Sequence, residues 1–329
     1  MVEQIKNIID ENSFITKNKT ALLIAAKVFI AAGFLLYLIS SIDFNEIINA
    51  AAQADVSLVV VASLLLIPNL YFQFYKWKIT ANVALAESSK SKIWLSLFYG
   101  LSAGVFTPAR VGEYFGRAIV FKNKSLISVT LATLLDKIFL LLIVAFFGAI
   151  SSILFIHFHY KAEFYLTLSL FMVVFSVFYF FLLMIFNDKF WNSLLFEKLK
   201  NSKKLEWLFN KIAVFRKLDR EYAVKMLIIS LLFYLCFLIQ YALLVAAFSN
   251  NSNYWYYIWA GNLMMFAKTV IPPVSLGELG IREGASVYFL TILGESASVG
   301  FNASIFLFFI NVLIPSLIGF ILLMKKNDD

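Results

Sequence analysis

Residues 93–117 read IWLSLFYGLSAGVFTPARVGEYFGR, and the way this stretch stops decides how the chain is built. Its apolar part runs from Ile93 to Thr107 and is halted by Pro108. At about 1.5 Å per helical residue it reaches only about 22 Å, short of the hydrocarbon core of about 30 Å that a spanning helix crosses. Behind the proline comes a polar string, Ala109, Arg110, Val111, Gly112 and Glu113. A second stretch behaves in the same way: Tyr256 to Ile271 is apolar, Pro272 and Pro273 stop it, and Ser275, Gly277, Glu278 and Gly280 follow. Each reads as a re-entrant helical hairpin, a short helix in and a short helix back with an irregular break at depth.

The surroundings of these stretches demand a membrane. Apolar residues make up 61% of the 329 positions, and the mean hydropathy is +0.84, more than a soluble surface can cover. Six longer apolar runs are full spans: Ala21 to Ser40, Val56 to Tyr75, Ile127 to Leu154, Phe164 to Phe186, Met226 to Phe248 and Gly300 to Met324. The fold class is therefore all-α and polytopic, with residues 1–329 forming a single transmembrane domain. The polar segment Met1 to Thr20 is too mixed in charge for a cleaved leader, so the first run is expected to be retained. The one cysteine, Cys236, lies inside an apolar run and excludes a disulfide framework or a cysteine zinc site.

The net charge of +8 is not the footprint of a nucleic-acid binder, because the Lys and Arg residues cluster between apolar runs and so orient a membrane protein. Lys6, Lys17 and Lys19 precede the first span, while the loop 41–55 carries Asp43, Glu46 and Asp55 and no base. Lys76, Lys78, Lys90 and Lys92 lie before the first hairpin and Lys122 and Lys124 after it, which sets both its ends in the cytoplasm. The basic segment 187–225 is cytoplasmic by the same rule, as are both termini, with Lys325 and Lys326 closing the last span. Every loop obeys the rule only if the second hairpin enters from outside.

Residues 108–117, PARVGEYFGR, and 273–282, PVSLGELGIR, share the pattern P-x-x-[VL]-G-E-x-x-x-R. Span, span, hairpin, span starting inside is followed by span, span, hairpin, span starting outside. This is an inverted-topology repeat, with repeat 1 at about residues 21–155 and repeat 2 at about 164–324, a plan of secondary transporters whose broken helices meet around a substrate site.

Ionisable groups at membrane depth are costly and are functional hypotheses by default. The candidates are Arg110, Gly112, Glu113 and Arg117 in the first break, Gly277, Glu278, Arg282 and Glu283 in the second, and Asp136 with Lys137 in the span after the first hairpin. Glu113 with Arg117, and Glu278 with Arg282, have the spacing of i,i+4 ion pairs. The alternative is that each half-helix N-terminus offers free N–H groups and a dipole to a phosphate or carboxylate, with Gly112 and Gly277 letting the backbone approach the ligand. Asp136 and Lys137 point about 100° apart on a helix, so each has to find its partner elsewhere. Asn69, Gln73, Gln240, Asn262 and Asn311 read as interhelical hydrogen-bonding groups. His157 and His159 lack nearby carboxylates, so neither a metal nor any other cofactor is expected. Walker, H-E-x-x-H, G-x-S-x-G and dinucleotide signatures are absent from the sequence.

TPARVGEYFGR at 107–117, LLDKIF at 134–139 and GELGIREG at 277–284 resemble the transmembrane region of the lysylphosphatidylglycerol synthases, the flippase-like family. The resemblance extends over nearly the whole chain. Asp136 and Lys137 stand where that family tends to have a Glu-Arg pair, Glu278 stands where it often has a second glycine, and the aminoacyl-transferase domain of the full synthases is not expected here. The resemblance implies lipid translocation between leaflets, with a phospholipid, anionic or aminoacylated, or a polyprenyl-phosphate-linked substrate as the partner. A flippase of the bacterial inner membrane is the leading expectation. A membrane-embedded transferase acting on a lipid-phosphate carrier and a non-catalytic scaffold for a lipid-modifying enzyme are the alternatives, and an oligomer is compatible with each.

Overall fold

The computed structural model describes residues 44–105, 107, 110–186, 220–271 and 280–325, and all the regular structure among them is helical. A short α1 (Phe44–Ala52) leads into α2 (Val56–Leu64), which starts where the Asp55 carboxylate accepts the Ser57 N–H at 2.8 Å. After one turn residue the chain runs on as α3 (Leu66–Leu85), and Ala86 ends it in the left-handed conformation. Then come α4 (Lys90–Val105) and α5 (Gly112–Val120), the helices on either side of the first break. The long α6 (Leu126–Tyr160), capped by Ser125, ends at the left-handed Lys161 and is followed by α7 (Phe164–Phe186). In the second half, α8 (Arg220–Ser249) precedes α9 (Tyr254–Val270) and α10 (Ile281–Ile292), which flank the second break. The last segment is α11 (Ala297–Phe308), a π-helical turn (Phe309–Leu313) and α12 (Ile314–Lys325).

Among the described residues, five segments are long and apolar enough to cross a membrane: Val56–Leu85, Leu126–Tyr160, Phe164–Leu183, Arg220–Ser249 and Ala297–Lys325. They fall on five of the six expected runs, and the run at 21–40 lies outside the described residues. Three overshoot their expected ends by several residues because helical propensity and capping, not the hydrocarbon boundary, decide where a helix stops. The first overshoot matters, since it carries α3 through Lys76, which the charge pattern assigned to a cytoplasmic flank.

The centre of the bundle is α8, which packs on α2, α3, α6, α9 and α11. Its polar residues tie neighbours together as interhelical bonds: Gln240 Nε2 donates to the Ala62 carbonyl at 2.8 Å and accepts from Asn311 Nδ2 at 2.6 Å. By contrast α7 exposes Phe164, Tyr165, Met172, Val173, Tyr179 and Phe180, as a helix bathed in lipid does. The π turn has a local cause. Pro315 cannot donate to residue 311, and its ring crowds that carbonyl, so the helix widens in the turn before it.

Glycines set the closest approaches. Gly100 and Gly104 on α4, and Gly112 and Gly116 on α5, repeat at the four-residue spacing that lets membrane helices touch along their backbones. A Cβ added at Gly112 would stand 2.1 Å from the Ala103 carbonyl oxygen, and one at Gly116 would stand 2.3 Å from that of Tyr99. Gly319 brings α12 equally close to α4, with a Cβ there meeting the Phe98 oxygen at 2.2 Å.

Candidate functional site

The turn joining α4 to α5 is organised by Thr107. Its hydroxyl donates to the carbonyls of Ala103 and Gly104 and accepts the Gly112 N–H at 2.7 Å. The Glu113 N–H goes to the Arg110 carbonyl at 3.1 Å and that of Tyr114 to Val111 at 3.2 Å. The amides at the start of α5 are therefore spent inside the turn, contrary to the expectation that this helix end offers them to a ligand. Gly112 likewise serves helix-to-helix contact. What the turn presents is side chains, beginning with Arg110, held at a left-handed φ of 53°.

Six charged groups from three parts of the chain meet below it. Arg117 Nη2 donates to Glu113 Oε1 at 2.7 Å, the i,i+4 pair expected from sequence, and Arg117 Nη1 donates to Asp136 Oδ2 at 3.2 Å. Lys137 Nζ lies 2.8 Å from Glu113 Oε2, and Arg110 Nε lies 3.8 Å from that same oxygen. Lys76 Nζ, on α3, sits 3.9 Å from Asp136 Oδ1. Asp136 and Lys137 thus diverge as neighbours on a helix must, one to Arg117 and Lys76, the other to Glu113. Arg110, with no acid at i+4, finds one at i+3. Around the ions lie aromatic faces: the Arg117 guanidinium carbon is 4.2 Å from the Trp77 ring centre, and Lys137 Nζ is 5.0 Å from that of Tyr114. The Trp77 Nε1–H donates to Ser96 Oγ at 2.6 Å, which fixes the indole between α3 and α4.

Burial grades the cluster from closed to open. The side chains of Lys76, Glu113, Arg117 and Asp136 are at most 7% exposed, whereas Arg110 is 21% and Lys137 29% exposed. Among the described residues, Arg110 Nε, Arg117 Nε and Asp136 Oδ1 are buried with no hydrogen-bond partner. Four basic side chains face two carboxylates, and Arg110, Arg117 and Lys137 outnumber Glu113 and Asp136 by one even with Lys76 left out, so the described cluster is in cationic excess.

The second motif forms a separate and tighter unit. At the start of α10 the Glu283 carboxylate accepts the Gly280 N–H at 2.6 Å, with Gly280 at φ 96°. Arg282 donates to Glu283 and, through Nε, to Ser304 Oγ at 3.2 Å, and its guanidinium stacks over Phe308. Glu283 curls back to cap its own helix, and this brings its carboxylate across the path of Arg282, so the ion pair forms between neighbours. The expected partner Glu278, and Gly277 with it, lie outside the described residues. No ion pair links the two clusters among the described residues.

Lys76 and Trp77 were not singled out from sequence. The signal was there: Asn69, Gln73, Lys76 and Thr80 repeat at helical spacing along one face of an otherwise apolar helix, and Asn69, Lys76 and Thr80 are buried.

The sequence model of the family described as "Lysylphosphatidylglycerol synthase TM region" matches residues 24–319. The chain belongs to this family. Comparison with curated proteins finds no match. As a member of the lysylphosphatidylglycerol synthase transmembrane family, the chain is a multi-pass membrane protein concerned with lipids, and its ion cluster lies on residues 76–137, inside the matched region.

Proposed function

We propose that this protein is a flippase or transporter that moves a phospholipid or a lipid-linked head group across the bacterial inner membrane. The observation that carries this reading is the six-charge cluster at the junction of the short pair α4–α5 with α3 and α6. A head group crossing the bilayer needs polar partners at depth, and an apolar bundle supplies them only where charged side chains are held together by mutual pairing. Neither α4 nor α5 is long enough to cross: their 16 and 9 residues reach about 24 Å and about 14 Å. The same holds for α9 and α10. On this reading both pairs are re-entrant hairpins of an inverted repeat, and both termini and the segment 187–225 are cytoplasmic. Arg110, Glu113, Arg117, Asp136 and Lys137 form the substrate site with Gly112 shaping its turn, and Arg282 and Glu283 build the corresponding motif of the second half. Gly277 and Glu278 enter on their sequence alone.

The test is a lipid-translocation assay in sealed proteoliposomes, run beside thermal stability. Wild-type protein accelerates passage of a tail-labelled phospholipid between leaflets, and Arg110→Lys and Arg110→Ala lose most of that acceleration while unfolding near the wild-type temperature. Wild-type transport by both variants removes Arg110 from the site. Absence of acceleration for every head group tried overturns the flippase reading.

A further inference from the structure

The charge balance of the cluster says more than that a lipid binds. Glu113 and Asp136 are each shared between basic groups, and even with Lys76 left out the three bases Arg110, Arg117 and Lys137 outnumber the two carboxylates among the described residues. The excess is not spread evenly. Arg117 has a carboxylate on each terminal nitrogen and an indole against its face, and Lys76 is buried beside Asp136, so both belong to the closed end. Arg110 and Lys137 are the two partly open cations, and they converge on a single carboxylate oxygen, Glu113 Oε2, at 3.8 and 2.8 Å. Arg110 Nε remains buried without a hydrogen bond among the described residues. Two cations converging on one acceptor at the more exposed edge of the cluster leave donor capacity unused.

We infer that the lipid is recognised through an anionic phosphate group held between Arg110 and Lys137, and that the site selects net-anionic over net-cationic head groups; the lipid source of that phosphate rests on the carrier reading above. On arrival the phosphate accepts the unbonded Arg110 Nε–H and shares the ammonium that Lys137 directs at Glu113 Oε2. Glu113 keeps Arg117 through its other oxygen, so no buried carboxylate is stranded during the exchange. A head group that adds a free ammonium brings a like charge to a cluster already in cationic excess, and such juxtaposition is strongly disfavoured. The selection is therefore against aminoacylated head groups.

The experiment is equilibrium binding of tail-labelled phosphatidylglycerol and lysylphosphatidylglycerol to the full chain in neutral detergent, with inorganic phosphate as competitor. Phosphatidylglycerol is expected to bind tighter by about tenfold or more, to be displaced by phosphate, and to weaken about tenfold in Lys137→Gln, with Lys137→Arg restoring it. Circular dichroism and thermal unfolding on the same samples separate a folding failure from a lost contact, and Arg110→Gln supplies the second variant. Equal or tighter binding of lysylphosphatidylglycerol overturns the inference, as does unchanged phosphatidylglycerol affinity in folded Lys137→Gln and Arg110→Gln. A protein that takes inorganic phosphate but no lipid overturns the lipid source. Charge-selective binding without translocation in vesicles sinks the carrier reading and leaves the phosphate site standing. Translocation indifferent to head-group charge does the reverse.

Discussion

Arg117 rests its guanidinium on the face of Trp77, 4.2 Å from the ring centre, and from that seat bonds Glu113 on its own helix and Asp136 on α6. One planar group thus joins α3, α5 and α6. Removing it leaves two buried carboxylates short of a partner, so Arg117→Ala should lower stability by about 3 kcal/mol or more. Arg117→Lys should fall between, because an ammonium reaches one carboxylate but neither forks nor stacks. Thermal unfolding in detergent measures both. Wild-type stability in Arg117→Ala would show that the cluster does not hold these helices together.

The α4–α5 contact predicts a contrast between two glycines. Gly116→Ala drives a Cβ to 2.3 Å from the Tyr99 carbonyl, a backbone atom that cannot step aside, whereas at Gly104 the nearest atom is Glu113 Cβ at 3.4 Å. Gly116→Ala should cost about 1–3 kcal/mol and disturb the ion cluster, while Gly104→Ala should be nearly silent. Equal melting temperatures for the two variants would contradict the close packing.

In the second motif Arg282 and Glu283 are at most 1% exposed and bond each other, Ser304 and the Gly280 amide. A double-mutant cycle with Arg282→Met and Glu283→Gln should return a coupling of about 0.5–3 kcal/mol, the double variant being more stable than additivity allows. Additive effects would mean that the pair contributes nothing as a pair.

Topology is open to cysteine labelling, because the native Cys236 is buried and gives little background. Leu205→Cys and Asn327→Cys should react with a membrane-impermeant reagent only after the cells are opened. Labelling of either position in sealed cells rejects the cytoplasmic assignment.

What could be read from the sequence follows from the range of the interactions involved. Long apolar runs declare themselves locally, so five of the expected spans coincide with helices. Glu113 and Arg117 could be paired from spacing alone, because four residues on a helix fix their separation. The partners of Asp136 and Lys137 could be foreseen only as lying elsewhere, since nothing in the sequence states which helices touch. Lys76 reads with Lys78 as a topological marker at the end of an apolar run, and its pairing with Asp136 emerges only once the helix is known to run on to Leu85. The fate of the α5 amides was equally hidden, being decided by one threonine hydroxyl folding back at a turn.

The π turn at Phe309–Leu313 divides the last span into two arms with different partners. Before it, α11 lies against α10 and α8; beyond it, α12 lies against α4. One span therefore touches both short helix pairs. At the widened turn the backbone uses i−5 acceptors in place of i−4 without unwinding. Pro315→Ala should restore a regular helix through this turn and so shift the α12 contact with α4 relative to the α11 contact with α10.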